Sequence, residues 1–327
     1  MKMKRYTIMM SLATMLLGLV SCSSDEGTDN MNGTADLQLT TEISTTRSII
    51  EGTTFNVGDN VELFINSAAN NISYAWAEYN AAGFWSISPT VKLSGANVGL
   101  IGLANLKDAD ITPDDNGEQR DILIGIPNLK DGTIINAANP KVPMTFHHAL
   151  ARVSFNLKQT NSSEQLTSIS LKNIDKGNAI SVKYDSMTVA TAAKDIAANI
   201  AKNTTYSTQW SYCKEYMMKY LSETRQAATL TLNKTITLSE KEQAIDLLVI
   251  PTTINTNNRV ALELTIGGNI YSVELPYTTW SSNSRYVYPV TIDTSKDMPV
   301  AISVGSSTIL DWNNNGEGNI ENTWNMD

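Results

Sequence analysis

Few side chains in this sequence are suited to chemistry. His147 and His148 are the only histidines, and neighbours along a strand point to opposite faces, so the pair cannot grip one ion from one face. One is expected to point inward beside Phe146 and Leu150, the other outward. Cys22 and Cys213 are the only thiols, too few for a Cys-rich zinc site or a disulfide framework. The 33 acidic residues allow a carboxylate pair in space, as a glycosidase needs, but no pattern selects one. There is no Gly-x-Ser-x-Gly elbow, Gly-rich phosphate loop or His-Glu-x-x-His helix. Asp311, Asn313 and Asn315, followed by Gly316, match the first half of a calcium-binding loop, but its twelfth position is Asn322 and the bidentate Glu is missing. A polar turn is the favoured reading there and a calcium site the other. Asp108, Asp110, Asp114, Asp115 and Glu118 read as a solvated acidic loop. The expectation is a protein with no catalytic residues and no cofactor.

The N-terminus carries a different kind of chemistry. Lys2, Lys4 and Arg5 precede an apolar run over residues 8–20 that is too short to span a bilayer, the pattern of an export signal. Leu19, Val20, Ser21 and Cys22 resemble the lipobox of bacterial lipoproteins. That resemblance implies diacylglycerol on Cys22, cleavage before it, and anchoring in the outer membrane by more than one acyl chain. Residues 1–21 are then signal peptide. The mature chain has 306 residues with 21 basic against 33 acidic side chains, a formal charge of −12. Residues 22–36 are nearly all small and polar and form a flexible tether. Within them Ser23, Ser24, Asp25 and Glu26 resemble the surface-export signal of Bacteroidales lipoproteins. Cys213 is left without a partner thiol and reads as a small apolar filler near Trp210, Tyr212 and Tyr216.

These features must be positioned by strands. Period-two alternation runs through residues 36–43, 61–65, 98–103, 122–126, 151–157, 166–171, 228–236, 245–250, 260–266, 270–275, 286–292 and 300–304. Gly, Asn and Asp clusters lie between them. Many short strands punctuated in this way predict an all-β chain of antiparallel β-sandwiches. The clearest hairpin is residues 260–275 around Gly267, Gly268 and Asn269. Short helices are expected at 187–201 and 213–224. A domain boundary is placed near residue 144, beside Pro140 and Pro143, with a new strand from Phe146. With scattered Lys and Arg and a net negative charge, no nucleic-acid partner is expected.

Taken in order, several segments resemble the fimbrillin family of Bacteroidales. They are the lipobox, Thr45-Thr46-Arg47 ahead of residues 55–64 (FNVGDNVELF), residues 146–153 (FHHALARV), residues 247–252 (LLVIPT), Leu275-Pro276 with Trp280, and Tyr286-Val287-Tyr288. The resemblance implies two transthyretin-like antiparallel β-sandwich domains in tandem, 37–143 and 144–298. It also implies a C-terminal segment, 299–327, that can be donated to a neighbouring subunit. In polymerising members a trypsin-like protease cuts near the N-terminus, the first strand leaves, and another subunit's strand fills the groove. Residue by residue, that puts the cut between Arg47 and Ser48 and makes Leu37, Leu39 and Ile43 the inward face of the displaced strand. Val300, Ile302, Val304, Ile309 and Leu310 belong to the candidate donor.

The expected function is therefore a structural or adhesive fimbrial subunit, exported as a lipoprotein and incorporated by donor-strand exchange. Its partners would be other fimbrial subunits, the outer membrane through lipid, a trypsin-like protease and a host or bacterial surface glycan or protein. The alternative is a monomeric surface lipoprotein that binds glycans through Trp76, Tyr79, Trp85 or Trp324.

Overall fold

The structure is a computed structural model. It describes residues 33–43, 55–67, 73–104, 117, 119, 121–130, 132–160, 163–173, 186–202, 205–206, 208–209, 211–213, 229–296 and 301–312. Cys22, Arg47, Ser48, Val300, Asn313, Asn315, Trp324, most of the 108–118 acidic loop and the expected helix beyond Cys213 lie outside these residues.

Strands account for nearly all the described elements. The first nine are β1 (Ala35–Asp36), β2 (Gln38–Ile43), β3 (Asn60–Ser67), β4 (Tyr74–Tyr79), β5 (Trp85–Ser88), β6 (Lys92–Leu93), β7 (Val98–Ala104), β8 (Leu123–Pro127) and β9 (Lys141–His148). Seven of them form one sheet in the order β2-β9-β8-β7-β3-β4-β5, and β1 pairs with β6. Next come β10 (Ala151–Gln159), β11 (Gln165–Asn173), the helix α1 (Ser186–Ile200), β12 (Leu230–Thr237), β13 (Gln243–Val249) and β14 (Thr252–Ile254). The chain continues through β15 (Val260–Ile266), β16 (Asn269–Glu274), β17 (Thr278–Trp280), β18 (Ser284–Ile292), β19 (Ile302–Val304) and β20 (Thr308–Asp311). One sheet runs β13-β10-β18-β19 with β20 also on β18, a second runs β12-β11-β15-β16, and β14 pairs with β17. Side chains of both sheets enclose a core around Phe155, Leu171, Leu247, Leu262 and Tyr288.

The alternation of apolar residues predicts most of these strands to within two residues. In β15–β16 the turn residues Gly267 and Gly268 take φ of 56° and 83°, a conformation that strains any residue with a Cβ. Two pairings depart from the antiparallel expectation, because β2 on β9 and β10 on β18 run parallel. Both join strands far apart in sequence, where no hairpin dictates direction.

The expected break at residue 144 falls inside β9, which begins at Lys141 rather than Phe146. Pro143 lies at the end of the β8–β9 ladder, beyond the last assigned pair of Pro127 with Met144, and its carbonyl still accepts from Asn128 N–H at 2.7 Å.

The face of the seven-stranded sheet that would otherwise meet solvent is covered. The helix α1, expected at 187–201, leaves the chain between β11 and β12 and packs on β3 and β7. Ala193, Ile196, Ala197 and Ile200 join Phe64, Ile101 and Ile124 of that sheet, together with Leu248 and Ile250, in one apolar cluster. The helix lies so close that a Cβ on Gly99 would overlap the Ala197 carbonyl oxygen. Asn97 Nδ2 donates to the Ala201 carbonyl at 2.5 Å and so satisfies an orphan acceptor at the helix C-terminus.

Candidate functional site at the two sheet edges

The alternating strand β2 is the terminal strand of the seven-stranded sheet and hydrogen-bonds to β9 alone within it, Gln38 opposite Lys141 through Ile43 opposite Phe146. Its alternation sends Leu39 and Ile43 inward, with Leu37 just ahead of it, at 6, 6 and 5% exposure. Burial of each such side chain contributes about 2 kcal/mol. Beneath them Phe55 meets Trp85 and Phe146 edge-to-face, each at a 5.0 Å centroid separation.

The strand also closes a gap. Leu37 N–H donates to the Val91 carbonyl at 2.9 Å, β1 pairs with β6, and Trp85 Nε1 donates to Thr41 Oγ1 at 3.1 Å. The sheet therefore curls until its first strand approaches its last. Without β2, the carbonyls and N–H groups of β9 on that edge and the apolar floor would lose their cover together, which is the arrangement an incoming alternating strand can satisfy.

On the outer side of β2, Glu42 Oε1 accepts from Thr145 Oγ1 at 2.6 Å and from Asn128 Nδ2 at 3.4 Å. The adjacent His147 Nε2 is 2.6 Å from the Tyr206 hydroxyl. Here the expectation of one inward and one outward histidine is corrected. Both are buried, at 8 and 0%, because His147 lies under Tyr206 while His148 faces Asp121 and stacks on Trp312. Burial, with His148 next to it, pushes His147 down to about 4 against the opposing pull of Glu42. Neither ring faces solvent as a general base would.

The other edge belongs to the C-terminal segment. The strand β19 pairs with residues 290–292 of β18, and β20 pairs with residues 284–287, both antiparallel. Between them the chain slips by one residue opposite Pro289, whose carbonyl accepts from Gly305 N–H at 3.0 Å. Ile302 is buried and Val304 and Leu310 are half-buried, whereas Ile309 is 52% exposed. Asp311 ends β20. At its end Trp312 is buried at 1%.

Two further groupings bear on chemistry. Asp246 accepts from Arg152 and from Ser154, and Arg285 Nε donates to Ser154 Oγ at 2.8 Å. Burial by itself would raise Asp246, but Arg152, Ser154 and Arg285 together hold it below the usual carboxylate range. The Ser154 hydroxyl is thus engaged on both sides, in a cross-strand ion cluster rather than with a base. Cys213 is fully buried, with its thiol pushed up by that burial. Among the described residues no group of three or more His, Cys, Asp or Glu side chains could hold a metal ion.

The aromatic residues singled out for glycan stacking are corrected in part. Trp85 is buried, Trp76 and Tyr79 are half-buried, and among the described residues the exposed rings are Tyr74, Phe84 and Tyr277. Sequence reasoning also missed Gln119, whose side chain exchanges two hydrogen bonds with the Leu248 backbone, and the contact of Trp312 with His148. No spacing signals either, since both join residues more than a hundred positions apart.

Residues 40–312 match a family model described as Fimbrillin-like. Among solved structures, a proposed cell adhesion protein from Bacteroides ovatus shares 13% identity and a TM-score of 0.51, over 86% of this chain and 98% of its own. The tip fimbrial protein Mfa3 from Porphyromonas gingivalis shares 12% identity and a TM-score of 0.40, over 85% and 100%. A proposed cell adhesion protein from Bacteroides uniformis shares 14% and 0.44, over 85% and 99%. At such identities the first of these likenesses speaks for the fold alone. No curated protein matches the chain.

Proposed function

The chain belongs to the fimbrillin-like family, and on that premise we propose that it is a fimbrial, adhesive subunit of the bacterial surface, exported as a lipoprotein on Cys22 and assembled by strand exchange after cleavage between Arg47 and Ser48. The observation that carries this reading is β2: an alternating edge strand four residues ahead of Arg47, seated on one β-strand and over an apolar floor.

Cleavage would release residues 22–47 with the lipid and leave 280 residues from Ser48. The groove along β9 would then accept an alternating strand from a second subunit. Residues 302–310, on the edge of the other sheet, have the pattern such a donor needs.

The test is to treat the purified full chain with an arginine-specific protease and run it unboiled in SDS. A ladder of resistant oligomers with Ser48 as the new N-terminus is expected, and Arg47→Ala should remain uncut and monomeric. A cleaved chain that stays monomeric at high concentration would sink the exchange reading. Lipid on Cys22 is checked separately, by the mass of the N-terminal peptide from membranes.

A further inference from the structure

We propose that Trp312 is a latch: it pins the C-terminal segment 302–312 back onto its own β18 and must leave its seat before that segment can enter another copy of this chain. The inference rests on the donor-strand reading of the preceding subsection and adds to it the contact that holds the donor closed.

The strand the latch restrains is weakly fastened along its length. It is an edge, bonded to β18 only, interrupted by the slip opposite Pro289. Ile309 stands largely in water, and Val304 and Leu310 are covered only in part. At its end the situation reverses. Trp312 is inserted into the cluster shared by the seven-stranded sheet, α1 and β13, beside Ala149, Leu150, Leu248 and Ile250. Its indole lies flat on the His148 ring, with centroids 4.3 Å apart and planes 11° apart. His148 is held from two sides, by Asp121 on its Nδ1 and by Asn283, whose Oδ1 accepts from the His148 N–H at 3.3 Å.

The seat is firm on the receiving side and incomplete for its guest. Trp312 Nε1 finds no hydrogen-bond partner among the described residues, and a buried N–H without an acceptor is a standing cost of the closed state. Apolar burial and stacking therefore hold the ring in place with no directional bond, a combination that suits a contact made once and broken once. The rest of the cluster belongs to the seven-stranded sheet, α1 and the region of β13, whose ladders do not include segment 302–312, so withdrawing Trp312 need not unfold them.

Amide hydrogen exchange on the full chain tests this. In Trp312→Ala, residues 302–311 should exchange at least about tenfold faster while β10 and β13 keep their protection, and after arginine-specific cleavage oligomers should form faster than from the parent. Trp312→Leu, which keeps an apolar plug and loses the stack, should fall between the two and serves if the alanine variant does not fold. Unchanged exchange in both variants overturns the latch. Faster exchange without faster assembly, in a parent that does assemble, overturns its restraining role. If segment 302–311 opens in the variants but neither parent nor variant ever assembles, strand exchange is wrong while the anchoring contact stands.

Discussion

The indole N–H of Trp85 donates to the hydroxyl of Thr41 at 3.1 Å, so the last strand of the seven-stranded sheet is tied to its first through two side chains 44 residues apart. Trp85 belongs to the wall against which β2 is seated, and Thr41 to β2 itself. Thr41→Val removes the acceptor and leaves the half-buried indole N–H unsatisfied, for an expected loss of about 1 kcal/mol, read from the urea midpoint. Leu39→Asp should cost far more, about 3 kcal/mol or above, because it places a carboxylate over Phe55 and Phe146. If Leu39→Asp were neutral, β2 would not be the plug described.

Acid should weaken the fold through His147. Its folded value is near 4, below the usual 6.5, so between those values the unfolded chain binds a proton that the native chain refuses. Stability from this group is complete above pH 6.5 and falls by about 1.4 kcal/mol per unit as pH drops toward 4. His147→Gln, which can still meet the Tyr206 hydroxyl, should flatten that part of the curve. Urea midpoints of parent and variant at pH 7.5, 5.5 and 4.5 give the difference, and parallel curves would refute the assignment.

Gly99 is expected to be intolerant of any side chain. Gly99→Ala drives a methyl into the Ala197 carbonyl, a backbone atom that can yield only if the helix moves, and the expected loss is about 3 kcal/mol. Gly268→Ala, in an open turn at φ 83°, should cost only about 1 kcal/mol. Thermal melts rank the two; faster amide exchange across α1 in the first variant alone would locate the damage.

Gln119 completes an edge. Leu248 lies on β13, the outer strand of its sheet, and the Gln119 amide accepts from its N–H at 2.7 Å and donates to its carbonyl at 2.9 Å. Gln119→Met keeps the bulk and strands both backbone groups, for an expected loss of about 2 kcal/mol. Gln119→Glu should lose a similar amount near neutral pH and recover toward acid, where a protonated carboxyl can again donate.

The strands were legible because alternation records a half-buried pleat, and the hairpin at Gly267-Gly268 because positive φ demands glycine there. The inward face of β2 could be read for the same reason: Leu37, Leu39 and Ile43 alternate with polar residues. What local pattern cannot encode is which distant surface covers a face. One of the two histidines was expected to face outward because a strand gives alternate side chains to water unless something lies on them, and here Tyr206 lies on His147 and Trp312 on His148. Trp85 looked available for sugars and is instead the far wall of the groove. The parallel direction of β2 on β9 was equally hidden, since pairing across some hundred residues leaves no mark on either strand.

The excursion that leaves one sheet as α1 and settles on another has a mechanical side. Two sets of sheets joined by a bare linker would swivel, but here α1, inserted between β11 and β12, is seated on β3 and β7 against Gly99 through an apolar cluster and the Asn97 hydrogen bond to Ala201. Polymerised as proposed, each copy would be a stiff link. A filament built from such links would bend and stretch at the joints between subunits, so its elasticity would be set by the borrowed strands and not by the bodies that lend them.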